Sequence, residues 1–210
     1  MLSRRQLLLG MPAVALGGLA ARPALADGEC SGFDGQGWRY CTVGLRIGEI
    51  ETVRQQCPYW CWAACIQAVF ALHGHAVAQE AIVARLFGDL ICAPADAWAI
   101  LAAIEGDWTD SQGRRFQAWG EALPDLTTRL FMGAGAQDIL AELYANNPLI
   151  NGAVGHATVL TAATYAEDRW GQQQILELVV RDPWPTSPNR RPLYPQEVMG
   201  SSFLARVVVA

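Results

Sequence analysis

Lysine is absent from all 210 residues, so the fifteen basic side chains are all arginine, set against twenty Asp and Glu. Arg4, Arg5 and Arg22 fall in the first 26 residues, which carry no acid; the other twelve arginines face all twenty acids and leave residues 27–210 at −8. That acidic balance lacks the electrostatic footprint of a nucleic-acid binder. Internal repeats, low-complexity tracts and long linkers are also missing. The one extended apolar run, Leu7 to Ala21, is too short and too rich in Gly to read as a membrane span. Histidine is scarce: there are only His73, His75 and His156.

The N-terminus reads as an export signal. Ser3-Arg4-Arg5-Gln6-Leu7-Leu8-Leu9 has the form of a twin-arginine motif, and Ala24-Leu25-Ala26 has the small-x-small form of a signal peptidase site. The expectation is a bacterial protein exported to the periplasm or secreted, with residues 1–26 removed. Residues 27–210 are then enough for one domain with a proper core, acting as a monomer without stable membrane association. All six cysteines lie in that part and in an exported protein read first as disulfides. Cys30–Cys41 would close a small N-terminal loop, while Cys92 has two candidate partners, Cys57 and Cys65.

Patterning predicts an α+β domain. From Cys61 to about His73 the chain is apolar on nearly every side, as in a helix buried at the centre of a domain, and Gly74 suits its end. Further helices fit Gln79–Phe87, Ala95–Ile104 and Gln137–Ala145. Strand-like runs follow at Pro148–Asn151, His156–Tyr165, Ile175–Arg181 and Phe203–Val209, with a hairpin turn over 166–172. Residues 27–50, with strand-like Trp38 to Val43, are too few for a separate inhibitory domain.

Chemistry concentrates at Gln55-Gln56-Cys57-Pro58-Tyr59-Trp60-Cys61-Trp62-Ala63-Ala64-Cys65. It reads as a loop entering a helix, with Cys61 at the junction, where the helix dipole favours a thiolate. Gln55, six positions upstream, carries an amide able to fold back as an oxyanion donor, with Gln56 as the alternative. A cysteine nucleophile works with a histidine. His73 and His75 lie at the far end of the same helix, ~18 Å or more from the thiol at 1.5 Å per residue. That leaves His156, at the start of a strand. With the hairpin turn centred near residue 169, His156 falls opposite Asp182, their Cβ atoms ~5 Å apart. A carboxylate there would orient the imidazole. Asp168, in the turn, reads as a turn former. A metal or redox site on Cys57, Cys61 and Cys65 is the rival reading. Pro58 puts Cys57 outside the helix or at its very start, and the spacing matches no common zinc pattern.

Gln55, Cys61-Trp62-Ala63-Ala64, Gly155-His156-Ala157 and Asp182-Pro183-Trp184-Pro185, in that order, resemble the papain-like cysteine peptidases. The closest likeness is to their small bacterial single-domain branch, which includes secreted effector proteases, and it covers most of residues 50–210. The resemblance implies a helical half facing a β half across a cleft. Cys61 would be the nucleophile, His156 its base, Asp182 the third residue and Gln55 the oxyanion donor together with the Cys61 N–H. Trp184 would shield the histidine pair. It also implies a protein or peptide substrate and no metal or cofactor. This chain departs from papain in Tyr59-Trp60 beside the thiol, in Asp at the third position, and in having no long propeptide. A catalytically silent binding module and an amidase acting on a non-protein amide such as peptidoglycan are the alternatives.

Overall fold

The computed structural model describes residues 27–46, 53–131 and 136–210. The expected export signal, residues 1–26, lies outside the described residues. Among them no helix is long and apolar enough to cross a membrane.

The described chain mixes helices with one antiparallel sheet of nine strands: β1 (Asp27–Cys30), β2 (Trp38–Gly44), β3 (Gly106–Thr109), β4 (Arg115–Leu123), β5 (Leu149–Ala153), β6 (His156–Asp168), β7 (Gln173–Arg181), β8 (Arg190–Pro192) and β9 (Ser201–Val209). The helices are α1 (Cys61–Leu72), α2 (Gln79–Phe87), α3 (Ala97–Ile104), α4 (Leu126–Phe131), α5 (Ala136–Tyr144) and α6 (Pro195–Met199). The strands run β1-β2-β6-β5-β9-β4-β3 in space, with β7 paired to β6 and β8 to β7.

Strand β6 is the axis of this sheet. Residues His156–Leu160 pair with β5, and Ala162–Asp168 pair with β2. Strand β7 runs along Val159–Glu167. Because β7 overlaps both of the others, β5 and β2 must share one edge of β6, and β7 takes the opposite edge. The N-terminal strands therefore extend the main sheet, and Cys30, which pairs with Cys41 across β1–β2, is disulfide-bonded to it.

Both faces of the sheet are covered, and successive residues point to different cores, as the pleat requires. Ile150, Val159, Phe203 and Ala205 face a core with α1, α2 and α3, built on Trp62, Ile66, Phe70, Ile82 and Ile104. Leu149, Leu160, Leu178, Val180 and Leu204 face a second core with α4 and α5, built on Leu126, Ile139, Leu140 and Leu143. The expected order, helices first and strands second, is thus only partly followed. Strands β1–β4 interleave with the helices, which form a layer on each face.

Helix α1 is buried as its all-round apolar composition requires, from Trp62 to Ile66 and again from Ala68 to Phe70, and it packs on β6. Gly74 follows its end at φ +83, the left-handed conformation that glycine adopts without penalty. Helix α3 starts two residues later than the apolar pattern suggests, because Asp96 caps it by accepting a hydrogen bond from the Ala99 N–H.

Candidate active site

Cys61 is the first residue of α1, and no side chain caps that end. The first N–H groups of a helix have no acceptor within it, so the main chain around Cys61 keeps free donors and a positive end. The approach loop is clamped from one side. The Trp60 indole donates to the Ile91 carbonyl at 2.9 Å, and that of Trp62 to the Ala93 carbonyl at 3.2 Å. Cys57 is disulfide-bonded to Cys92, which decides between its two candidate partners. The 88–96 segment is thereby pinned beside the thiol. Cys61 and Cys65 are free; Cys61 is partly exposed and Cys65 is buried. The bridge also removes Cys57 as a thiolate ligand, so the three-cysteine metal reading loses one of its members.

His156 opens β6 directly after a two-residue turn from β5, Val154-Gly155, with Ala153 paired to His156. Both turn residues have positive φ, +51 and +74, the pattern of the hairpin turn whose twist matches the strands. A β-branched residue there is an outlier. Hydrogen-bonded and non-bonded pairs alternate along an antiparallel ladder. The residue after the turn-closing pair, Ala157, therefore directs its N–H away from β5, and that N–H helps to lower the Cys61 thiol.

Asp182 lies one residue beyond the end of β7, buried to 2% exposure. It is not directly opposite His156, as the hairpin arithmetic expects. The turn is centred on residue 170: Glu167 pairs with Gln173, and Asp168 Oδ1 accepts the N–H groups of Trp170 and Gln172. Val159 pairs with Arg181, so the residue opposite Asp182 is Thr158, and His156 is its diagonal neighbour. The displacement is two residues, which keeps both side chains on one face. His156 Nε2 and Asp182 Oδ1 are 2.8 Å apart. With Nε2 engaged there, Nδ1 is the nitrogen left for the hydrogen bond between His156 and Cys61. Trp184 donates its main-chain N–H to the same Oδ1 at 2.8 Å. Its ring stands edge-on to the imidazole, 6.0 Å between centroids at 86°.

The electrostatics follow from these contacts. Burial pushes the Cys61 thiol up, but hydrogen bonds from His156 and the Ala157 N–H, the His156 charge and the Trp62 N–H outweigh it and lower the pKa. Burial pulls His156 down, yet its bonds to Asp182 and Cys61 raise it to about 9. Burial raises Asp182 too, and the donors His156, Trp184 N–H and Arg191 bring it to about 2. Cys65 goes the other way: burial and the nearby Cys61 and Asp182 charges push it up, which keeps it a neutral thiol.

Gln55 stands apart. Its side chain is buried, and Nε2 donates to the carbonyls of Cys57 at 3.0 Å and Pro58 at 2.8 Å. The amide shapes the loop that delivers Cys61, and its N–H groups are held by that loop. Gln56 is exposed, and its main-chain N–H donates to Gln79 Oε1 at 3.0 Å.

Several residues with no role in the sequence reading build this site. Buried Gln79 also donates to the Arg54 carbonyl and to Gln67, which ties the approach loop to α1 and α2. Arg54 donates to the carbonyls of Asp182, Trp184 and Ser187, and the Gln55 N–H to that of Pro183. The loops on either side of the thiol are thus locked together. Arg191 donates from Nε to Asp182 Oδ2 at 2.8 Å. The charges of Arg54 and Arg191 were the only signal, and nothing in Asn189-Arg190-Arg191-Pro192 marks Arg191 apart from the alternation of a three-residue strand.

Cys61, His156 and Asp182 line a cleft of about 700 Å³ between the 94–100 segment and the ends of β5, β6 and β9. Its deeper walls are apolar: Trp62, Ile100, Ala157 and Phe203. His75 is elsewhere, 3.2 Å from Asp110 and stacked on Phe116. In comparisons with known proteins, no family model and no curated sequence matches the chain.

Proposed function

We propose that this protein is a cysteine-dependent hydrolase that cleaves amide bonds, with Cys61, His156 and Asp182 as its catalytic residues. The observation that carries the reading is the placement of Cys61, His156 and Asp182 together on one cleft wall, with His156 Nε2 2.8 Å from Asp182 Oδ1 and the imidazole acting on the Cys61 thiol. The thiol is lowered, the imidazole raised, and the carboxylate held ionised. The two shifts run in the directions that favour a thiolate–imidazolium pair, which a buried structural cysteine has no use for. The papain-like resemblance read from the sequence supports the same roles, and so does a nucleophile at a helix start with a histidine on a strand.

The Cys61 thiolate attacks the substrate carbonyl carbon and forms the C–S bond. Negative charge passes to the carbonyl oxygen, where the free Cys61 N–H at the helix start is a ready donor; one such donor contributes ~3 kcal/mol in comparable sites. The His156 Nδ1–H then protonates the amide nitrogen, the C–N bond breaks, and an amine leaves. Water, deprotonated by the now neutral His156, attacks the thioester and releases the carboxylic acid and Cys61. Asp182 holds the imidazole in the tautomer and orientation that both steps need. Gln55 acts first through the loop it holds; direct oxyanion donation requires its amide to leave the Cys57 or Pro58 carbonyl.

An apolar-walled cleft beside the thiol suits a polypeptide with an apolar side chain, and two disulfides fit an exported protein. The test is release of new amino termini from a denatured protein. The reading predicts turnover by wild type and none by Cys61→Ala or His156→Ala with unchanged melting temperatures. Equal release by Cys61→Ala would refute it.

A further inference from the structure

Asp182 is held on the side away from His156 as well. Arg191 Nε occupies Oδ2 at 2.8 Å, and Arg191 is itself gripped by Glu197, with Nη1 and Nη2 each 2.7 Å from a carboxylate oxygen. Arg191 Nη1 also donates to the Pro192 carbonyl, and the guanidinium lies 4.8 Å from the centre of the Tyr194 ring. Arg191 is 7% exposed and Asp182 2%. Glu197 in turn accepts the Tyr194 N–H at the start of α6. Four side chains, His156, Asp182, Arg191 and Glu197, thus form one relay of alternating charge, buried at Asp182 and Arg191. A fork fixed by two carboxylates leaves the Asp182 plane no freedom to rotate.

We infer that Arg191, braced by Glu197, is a positioning residue that aims Asp182 Oδ1 at His156 and keeps that carboxylate ionised under acidic conditions. This rests on the thiol-hydrolase reading above and concerns how its acid range is set. Charged and titratable groups from several elements surround Asp182. His156 comes from β6, Arg191 from β8, Glu197 from α6, and Cys61 and Cys65 from α1, while Arg54 meets the Asp182 main-chain carbonyl. Among the described residues, the cations bonded to its carboxylate are Arg191 and His156. With Arg191 in place, Asp182 stays ionised well into acid, and its charge supports the His156 imidazolium that in turn favours the Cys61 thiolate. Without Arg191, the buried carboxyl titrates higher, by ~1–3 pH units for loss of an adjacent opposite charge. Protonation of Asp182 then withdraws that support from His156, and so from the thiolate, at a higher pH.

The readout is the rate of Cys61 alkylation by iodoacetamide against pH, which needs no substrate. In Arg191→Gln the acid limb is expected to move up by about one pH unit. Above neutrality the rate should stay within about threefold of wild type, because Asp182 is ionised there in both proteins. Glu197→Gln, which loosens the fork but keeps the Asp182 contact, should move the limb in the same direction by less. A role in folding alone would lower the melting temperature and leave the limb in place. An unmoved limb in folded Arg191→Gln overturns the inference. If Arg191→Gln does not fold, Glu197→Gln decides: a shifted limb upholds it and an unshifted limb overturns it. Failure of the underlying reading looks different, because wild-type Cys61 would itself then titrate as an ordinary thiol.

Discussion

Asp182 Oδ1 lies 2.8 Å from His156 Nε2, although the two residues are diagonal neighbours rather than partners across the β6–β7 ladder. The carboxylate is therefore held by its own donors, the Trp184 N–H and Arg191, and not by strand pairing. Replacing it tests catalysis and stability together. Asp182→Asn keeps the shape and removes the charge that supports the imidazolium, and activity is expected to fall on the order of 10²–10⁴-fold. The sign of the linkage is fixed by the lowered pKa. The folded value of about 2 lies below the ordinary 3.8, so the ionised group stabilises the fold above pH ~4, and that contribution, on the order of 2 kcal/mol, is lost as pH falls towards 2. Acid unfolding followed by circular dichroism should be less steep over that interval in Asp182→Asn than in wild type.

Gln55 separates a structural role from a chemical one. Its Nε2 hydrogen bonds to the Cys57 and Pro58 carbonyls are buried, and deleting them leaves main-chain acceptors unsatisfied at a cost of ~1–3 kcal/mol. Gln55→Ala is expected to lower the melting temperature as well as turnover. A variant with wild-type stability and a turnover loss on the order of 10²–10³-fold would instead mark Gln55 as a direct oxyanion donor. Thermal melts and single-turnover rates on the same preparation distinguish the two.

Val154 sits at φ +51, 69% exposed, in the two-residue turn that delivers His156. Asparagine tolerates that conformation far better than a β-branched residue and is favoured at this turn position before Gly155. Little packing is lost at an exposed site. Val154→Asn is expected to stabilise the protein by ~1 kcal/mol, seen as a raised denaturant midpoint with an unchanged slope.

The parts legible in the sequence were those governed by local rules. The all-round apolar stretch after Cys61 became the buried helix α1, and the expected span of α2, Gln79–Phe87, matches the structure. Helix rise alone separated His73 and His75 from the thiol, and His75 is found on Asp110. The hairpin argument put His156 and Asp182 on one face but in the wrong register, because Asp168 ties a turn one residue further along. An error of two residues preserves the face, whereas an error of one would have destroyed the inference. What the sequence did not reveal depends on contacts distant along the chain. The docking of β2 along β6, the clamp of Arg54 on the 182–187 loop and the Asp182–Arg191–Glu197 relay have no periodic signature. The Gln55 amide shows the converse case: its spacing from Cys61 suggested a donor to substrate, while the folded loop offers it two nearer carbonyls.

The central claim is that Cys61 is an activated thiolate held by His156. Its most direct test is the pH dependence of alkylation at each free thiol, with the modified residue identified by mass spectrometry. Reaction should be confined to Cys61, since Cys65 is buried and its thiol pushed up. The rate should rise through a thiol pKa below the ordinary value and change again near pH 9, where His156 deprotonates. In His156→Ala, burial still opposes the thiolate and its strongest support is gone, so the low-pH reactivity should vanish. A Cys61 that reacts in wild type with a single midpoint near the ordinary thiol value of ~8.5, unchanged by His156→Ala, would contradict the account.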